Sequence, residues 1–454
     1  MNRTYWYRRI HKIISLAVVL ALLCGIAGAD EEIQLKIGYW DARSEIAQDF
    51  MKKYPHVKIS GGNMNARTTD DLISVFLTGD FDYDVFPLFS VQYDLQPLMN
   101  KGYLADLSGS EKIREYVGEM RQDVMSMISR GEQIYALPYG LLIEYMVYHP
   151  DTWADAGLST EDVPNTFPQL LSFLEKWTSS EHPGYCVCGQ FDETVYTENR
   201  YTEWLLNLLF ENDMMQKSYE KKDIEFTDPA LLDMMERCKE VGSKLYRIEP
   251  IPNQGKALFT IGESSIGEVQ NMISLRLEES QPRLVKSYLW AVAVNEDSKV
   301  KSTAADFALS LMDKESALTT FLFSDPQSVS NHETEQLLME AEGQKDALLD
   351  KLGQKDLSAE AKVKLQEELD SLDLQIQEYE KDENRYYITA DQVKEFLNQI
   401  DGLYIETPGP LSVGSENAQL LNQWIGSYAA GIISAEQMLQ RMNEISWMMQ
   451  MEGN

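Results

Sequence analysis

Covalent catalysis leaves local signatures, and this chain lacks several of them. There is no Gly-x-Ser-x-Gly elbow, no His-Glu-x-x-His metalloprotease helix and no Walker loop. Paired carboxylates are a second route to chemistry. Asp82 with Asp84, or Asp41 with Glu144, would suit glycoside hydrolysis if they met in a cleft, but a chain with 73 acidic residues makes such pairs by composition alone. Sugar recognition asks for something different: aromatic faces to stack on ring C–H groups, with carboxylates or amides beside them for the hydroxyls. Trp40 and Asp41 close a strand-like run, Asp84 and Glu144 lie in two further ones, and Tyr139 sits inside a Pro-Tyr-Gly break. Trp204 falls on a helix and Trp290 on a late strand, and each of these rings also suits core packing. These seven residues are the candidate ligand-binding set, with no catalytic residue, metal ligand or cofactor expected.

The elements that must position them follow from the ends inward. Arg3, Arg8, Arg9 and Lys12 precede an apolar run from Ile13 to Cys24, and Ala27 to Ala29 supply small residues before Asp30. That is the pattern of a cleaved secretory signal over residues 1–29, since the run is shorter than the ~18 residues of a membrane span. Cys24 also invites lipidation, although Leu22 and Leu23 are unusual before a lipidated cysteine. Losing four basic residues takes the formal charge from −33 to −37, a surface that repels phosphate backbones and excludes nucleic acid as a partner. The remaining cysteines, Cys186, Cys188 and Cys238, are odd in number, which leaves open one bridge from Cys238 to either of the others. With only His56, His149, His182 and His332 scattered along the mature chain, a zinc site is not expected.

Residues 33–39 alternate as a strand, and helical spacing follows at Ile46, Ala47, Phe50 and Met51. A strand at HVKIS, a helix over Asp70 to Leu77 and a strand at DYDVFPLF complete a β-α-β-α-β order, which predicts a mainly parallel sheet with its ligand crevice at the strands' carboxyl ends. Capping boxes at Thr166/Gln169, Thr389/Gln392 and Ser434/Gln437 open later helices. Residues 333–384 hold sixteen acidic and six basic residues. There Leu365, Leu369, Leu372, Ile376 and Tyr379 step by four and three, the seam of a coiled-coil-like helical hairpin about 30 Å long.

GEQIYALPYG at 131–140, MVYHPDTWADAGL at 146–158 and VPNTFPQLLSFLEKW at 163–177 resemble bacterial extracellular solute-binding proteins of the maltose-binding-protein type. LFTIGES, AVAVNEDSKVKSTAADFALSLM and AAGIISAEQMLQRM match later blocks of that family in the same order, with His149-Pro150 for the usual Asn-Lys and Phe167 for the usual Trp. The resemblance implies an α/β fold of the two-lobed, type II-like periplasmic-binding-protein kind, with an interlobe ligand cleft. It implies lobe one at 33–139 and 257–313, lobe two at 140–256 and 314–448, and the 333–384 hairpin inserted in lobe two. Hinges are then expected at Pro138, Gly140, Pro252 and Gly255, with Tyr139 facing the cleft. The implied function is that of a monomeric, non-enzymatic, secreted or envelope-held protein delivering a small solute to an ABC permease. A mono- or oligosaccharide is the first expectation, a polyamine or other small polar solute the alternative, and a secreted carbohydrate-active enzyme the alternative of another class.

Overall fold

The computed structural model describes residues 32–39, 42–188, 197–249, 255–263, 271–312, 316, 318–353, 357–409 and 416–452. The signal-like segment with Cys24, together with Trp40, Asp41 and Pro252, lies outside the described residues.

The chain opens with β1 (Ile33–Gly38), α1 (Glu45–Lys53), β2 (Val57–Gly62), α2 (Thr69–Thr78) and β3 (Val85–Phe89). Leu35 and Ile37 alternate into the core from β1, while Ser44 and Thr68 start the helices by accepting from the backbone N–H of Ala47 and Asp71. These strands pair in parallel in the order β2-β1-β3. Next come β4 (Leu137–Tyr148), α3 (Phe167–Trp177), β5 (Tyr185–Cys188), α4 (Arg200–Tyr219), α5 (Pro229–Ile248), β6 (Lys256–Glu263) and β7 (Leu284–Val294). The chain ends through α6 (Lys301–Ser310), α7 (His332–Leu352), α8 (Ala359–Tyr379), α9 (Ala390–Gln399), β8 (Gly402–Ile405), α10 (Glu416–Ala429) and α11 (Ala435–Glu452).

The sheet runs β2-β1-β3-β7-β4-β6-β5, with β8 paired to the first half of β7. Its centre departs from the expected parallel sheet: β7 is antiparallel to both β3 and β4, and β4 is antiparallel to β6. Sequence periodicity reports which face of a strand is buried and says nothing of its direction, so this reversal was invisible.

Two hydrophobic cores form. The seam between them runs along β4, where Tyr145 and Val147 point into the first core and Met146, on the opposite strand face, points into the second. That placement corrects the expected first hinge. Pro138 and Gly140 are buried where β4 pairs with β7, well inside the first lobe, and the chain changes cores several residues later. The Pro-Tyr-Gly break is a β-bulge instead. Gly140 lies opposite Trp290 and Pro138 opposite Ala291, leaving Tyr139 as the extra residue. Gly255 is not at a crossing either. Its φ is +125°, and a Cβ there would stand 2.6 Å from the Gly184 carbonyl, so it fits a close approach of β6 to β5 at the outer end of the second lobe.

The division of the later chain also changes. Leu258, Phe259, Ile273 and Leu275 join the second core, whereas Phe321, Val329, Ile388, Val393, Phe396 and Leu403 join the first. Leu258, Phe259, Ile273 and Leu275 therefore pack with lobe two, although Met272 between them faces the first core, and the apolar residues named from 321 to 403 pack with lobe one, the reverse of the expected assignment. The hairpin moves with them. Its root is the antiparallel pair Val329–Ser330 with Tyr386–Ile388, and Val329 and Ile388 are buried in the first core. Within it, Ala341 and Leu348 of α7 and Leu369 and Ile376 of α8 are buried, and Lys345 and Asp373 pair at 2.6 Å. The caps follow the sequence: reciprocal bonds form at Thr389/Gln392 and Ser434/Gln437. At Thr166 the Gln169 side chain reaches one residue further back, to the N–H of Asn165.

Cys186, Cys188 and Cys238 are buried as thiols, so the bridge from Cys238 left open by the sequence is not formed.

Candidate ligand-binding groove

One face of the central sheet turns toward the second lobe, and strand alternation decides what it carries. In β7 the side chains of Val285, Leu289 and Ala291 enter the first core, which leaves Lys286, Tyr288 and Trp290 on the other face. Their neighbours on β4 are Glu144, Leu142 and Gly140. The result is a strip about 13 Å long from Trp290 to Lys286, at ~3.3 Å per residue.

At the Trp290 end, four rings form a chain. Tyr39 meets Phe89 edge-on at 5.7 Å, Phe89 meets Trp290 at 5.9 Å, and Trp290 meets Tyr139 at 6.2 Å. Tyr39 and Phe89 stand at the carboxyl ends of the parallel strands β1 and β3, where an open α/β sheet binds ligands. Gly140 makes room for this wall, because a Cβ on it would lie 3.3 Å from the Trp290 ring and 3.4 Å from Leu318. Tyr39 is 61 % exposed and has φ +74°, an unfavourable backbone conformation for a residue with a side chain. Burial pushes the Tyr139 hydroxyl above its ordinary pKa, with Tyr39 adding to the effect.

At the other end the groove is charged. The Lys286 ammonium lies 3.0 Å from Glu144 and 3.4 Å from Glu211, and the Tyr288 hydroxyl donates to Glu144 at 3.1 Å. Glu211 belongs to α4, whose Leu205, Leu206, Leu209 and Phe210 are in the second core, so Lys286 joins the lobes. Burial lowers the affinity of Lys286 for its proton, but Glu211 and Glu144 outweigh it and hold the group above its usual value. Burial raises Glu211, with Lys286 opposing. Beside this contact a cavity of about 670 Å3 opens between the lobes, lined among others by Asn207, Glu211, Lys286, Tyr404, Glu406 and Asn422.

Glu249 fixes the start of α4. Its carboxylate accepts from the Val187 N–H at 3.0 Å and the Tyr201 hydroxyl at 2.8 Å, and burial nevertheless holds it above the ordinary carboxyl range.

The candidate residues separate accordingly. Tyr139 and Trp290 come together on the aromatic wall, and Trp204 is half-buried on α4 against the second core. Glu144 lies on the strip but is engaged by Lys286 and Tyr288. Asp84 is elsewhere: it sits before β3, accepting from the Lys36 N–H at 2.8 Å and the Ser298 hydroxyl at 2.6 Å, a structural joint rather than a groove residue. Asp82 pairs with Lys36, so the Asp82/Asp84 pair serves strand attachment. Among the described residues no group of three or more His, Cys, Asp or Glu is arranged to hold a metal ion. Sequence reasoning missed Tyr39, Phe89, Lys286 and Glu211. Tyr39 adjoins Trp40 and was within reach of the same strand-end argument, but nothing in the spacing brings Lys286 to Glu211.

Comparison with known proteins agrees with this geometry. The family profile of bacterial extracellular solute-binding proteins matches residues 41–271. An ABC substrate-binding protein from Listeria monocytogenes, solved in complex with cycloalternan, superimposes with a TM-score of 0.51 at 13 % identity, over 92 % of this chain and 100 % of that one. A chitin oligosaccharide binding protein gives 0.52 at 12 % identity, over 91 % and 98 %. At these identities the likeness establishes the two-lobed fold. No curated protein sequence matches the chain.

Proposed function

The chain belongs to the bacterial extracellular solute-binding proteins, and on that premise we propose that it captures a mono- or oligosaccharide between its lobes and hands it to an ABC permease. The observation that carries the sugar reading is the ring chain Tyr39, Phe89, Trp290 and Tyr139 at the strand ends, a set of apolar faces suited to stacking against a pyranose. The likeness to proteins named for cycloalternan and chitin oligosaccharide supports it. The protein acts as a monomer and makes no bonds: binding draws the lobes together, and the permease reads the closed form.

One observation favours a second reading. Glu144 and Glu211 flank Lys286, and the cavity beside them adds Glu406 and Asp123 against Lys221, an excess of negative charge that would suit an organic polycation. A thermal-shift screen of sugars and polyamines separates the two. A ligand at a hundred times its dissociation constant adds about 2.7 kcal/mol of stability, so a sugar hit is the expected result and a response to spermidine alone would replace it. Incubation with the same oligosaccharides should release no products. X-ray scattering should give a smaller radius of gyration with the sugar hit bound, and an unchanged radius would count against closure.

A further inference from the structure

Lys286 is the place where the two walls of the groove touch through charge. Its ammonium is shared between Glu144, on the strand that crosses from one core to the other, and Glu211, on the helix that lines the second lobe. Tyr288 braces the arrangement, donating to Glu144 at 3.1 Å while its ring lies 5.6 Å from the ammonium. The groups that face this contact from every side are Glu144 on β4, Tyr288 on β7, Glu211 on α4, and Tyr404 and Glu406 at β8 and just after it. Each of these is acidic or neutral, and the cavity beside them also has Asp123 and Lys221 in its lining. Without the ammonium, two carboxylates from opposite sides of the seam would face each other in a partly desolvated space.

We propose that Lys286 is a positioning residue for ligand binding: by neutralising Glu144 and Glu211 at once, it sets how far apart the lobes rest and so holds the aromatic wall, four residues along the same strand face, in register with the second lobe. The inference builds on the ligand-binding reading but makes its own prediction about the ligand-free chain.

The sign of the pH dependence follows from Glu211. Burial raises its carboxyl, and Lys286 offsets part of that rise. A carboxyl raised in the assembled seam takes up a proton as the seam forms, so acid favours assembly and alkali opposes it. Removing Lys286 removes the offset and steepens this dependence.

The test uses Lys286→Met, Lys286→Met/Glu211→Gln and Glu211→Gln in the full chain. Ligand-free Lys286→Met should have a larger radius of gyration than the wild type at pH 8, and the double variant should return toward the wild-type value. Affinity for the oligosaccharide with the largest thermal shift should fall roughly tenfold in Lys286→Met, a size typical of coupling between sites, and recover in the double variant. The defect should shrink as the pH is lowered toward about 5, near the ordinary carboxyl range, whereas the wild type changes less. A folded Lys286→Met with unchanged radius and affinity would overturn the proposal, as would a double variant no better than the single. If Lys286→Met does not fold, Glu211→Gln decides: it should flatten the pH dependence of the ligand-free radius, and an unaltered profile would refute the assignment. Should no sugar bind at all, the scattering results on the ligand-free chain still stand or fall by themselves.

Discussion

Trp290 and Lys286 share a strand and a strand face, yet their surroundings divide them. Trp290 meets the rings of Phe89 and Tyr139, both of its own lobe, and on the proposed reading its half-exposed face is what a ligand would stack on. Lys286 is covered by charges from both lobes. A binding wall works by keeping contacts in reserve, while a joint works by satisfying its own groups. The same strip does both because alternation puts every second residue of β7 on it, and only the neighbours decide which role each takes.

Breaking the wall should have the larger effect on binding. Trp290→Ala is expected to weaken sugar affinity by about 1 to 3 kcal/mol, as for other aromatic anchors. Its loss of folding stability should stay below the ~3 to 5 kcal/mol of a fully buried Trp, because the ring is only half-buried. Calorimetric titration and a urea midpoint on the same sample check both halves; retained affinity with a large midpoint loss would assign Trp290 to the core.

Tyr39 sharpens the contrast. Its left-handed φ of +74° opposes folding by on the order of 1 kcal/mol, strain that glycine would not feel. Tyr39→Gly should therefore leave the midpoint level or higher while affinity falls by about 1 kcal/mol, the size of one aromatic contact. A drop in both would mean that the ring supports the fold instead.

The smallest effect is expected far from the strip. Replacing residues 335–382 with a short Gly-Ser linker keeps the pair Val329–Ser330 with Tyr386–Ile388 and removes only the hairpin, whose buried residues pack on each other. Affinity should be nearly unchanged. Failure to fold would show that the hairpin braces the first lobe.

Much of this was legible in the sequence where local rules govern. The β-α-β-α-β start, the caps at Thr389 and Ser434 and the hairpin all follow from spacing and side-chain chemistry within a few residues. Tyr139 and Trp290 were legible for a related reason, being aromatics beside a break and within a strand. What escaped depends on direction and distance. The antiparallel course of β7 brings Phe89, Gly140 and Trp290 together, and no local pattern encodes it. The lobe assignment failed likewise: apolar segments such as those holding Phe259 and Phe396 read alike, and only the packed chain says which core each one enters. Asp84 misled because a carboxylate beside a strand can serve a ligand or a neighbouring strand equally well, and here Lys36 and Ser298 claim it.

The buried thiols have a consequence for how the molecule meets an oxidising environment. Cys186 is pushed up to about 11 by burial, with Glu249 and Cys188 adding to it, and burial raises Cys238 as well. Thiolate is the reactive form, and at neutral pH a group near 11 supplies only about one in ten thousand molecules of it. Cys186 and Cys238 are thus poor partners for exchange with glutathione or oxidising enzymes while the second lobe stays folded. Thiol labelling becomes a clock for opening of that lobe: modification should proceed at the rate at which its core breathes.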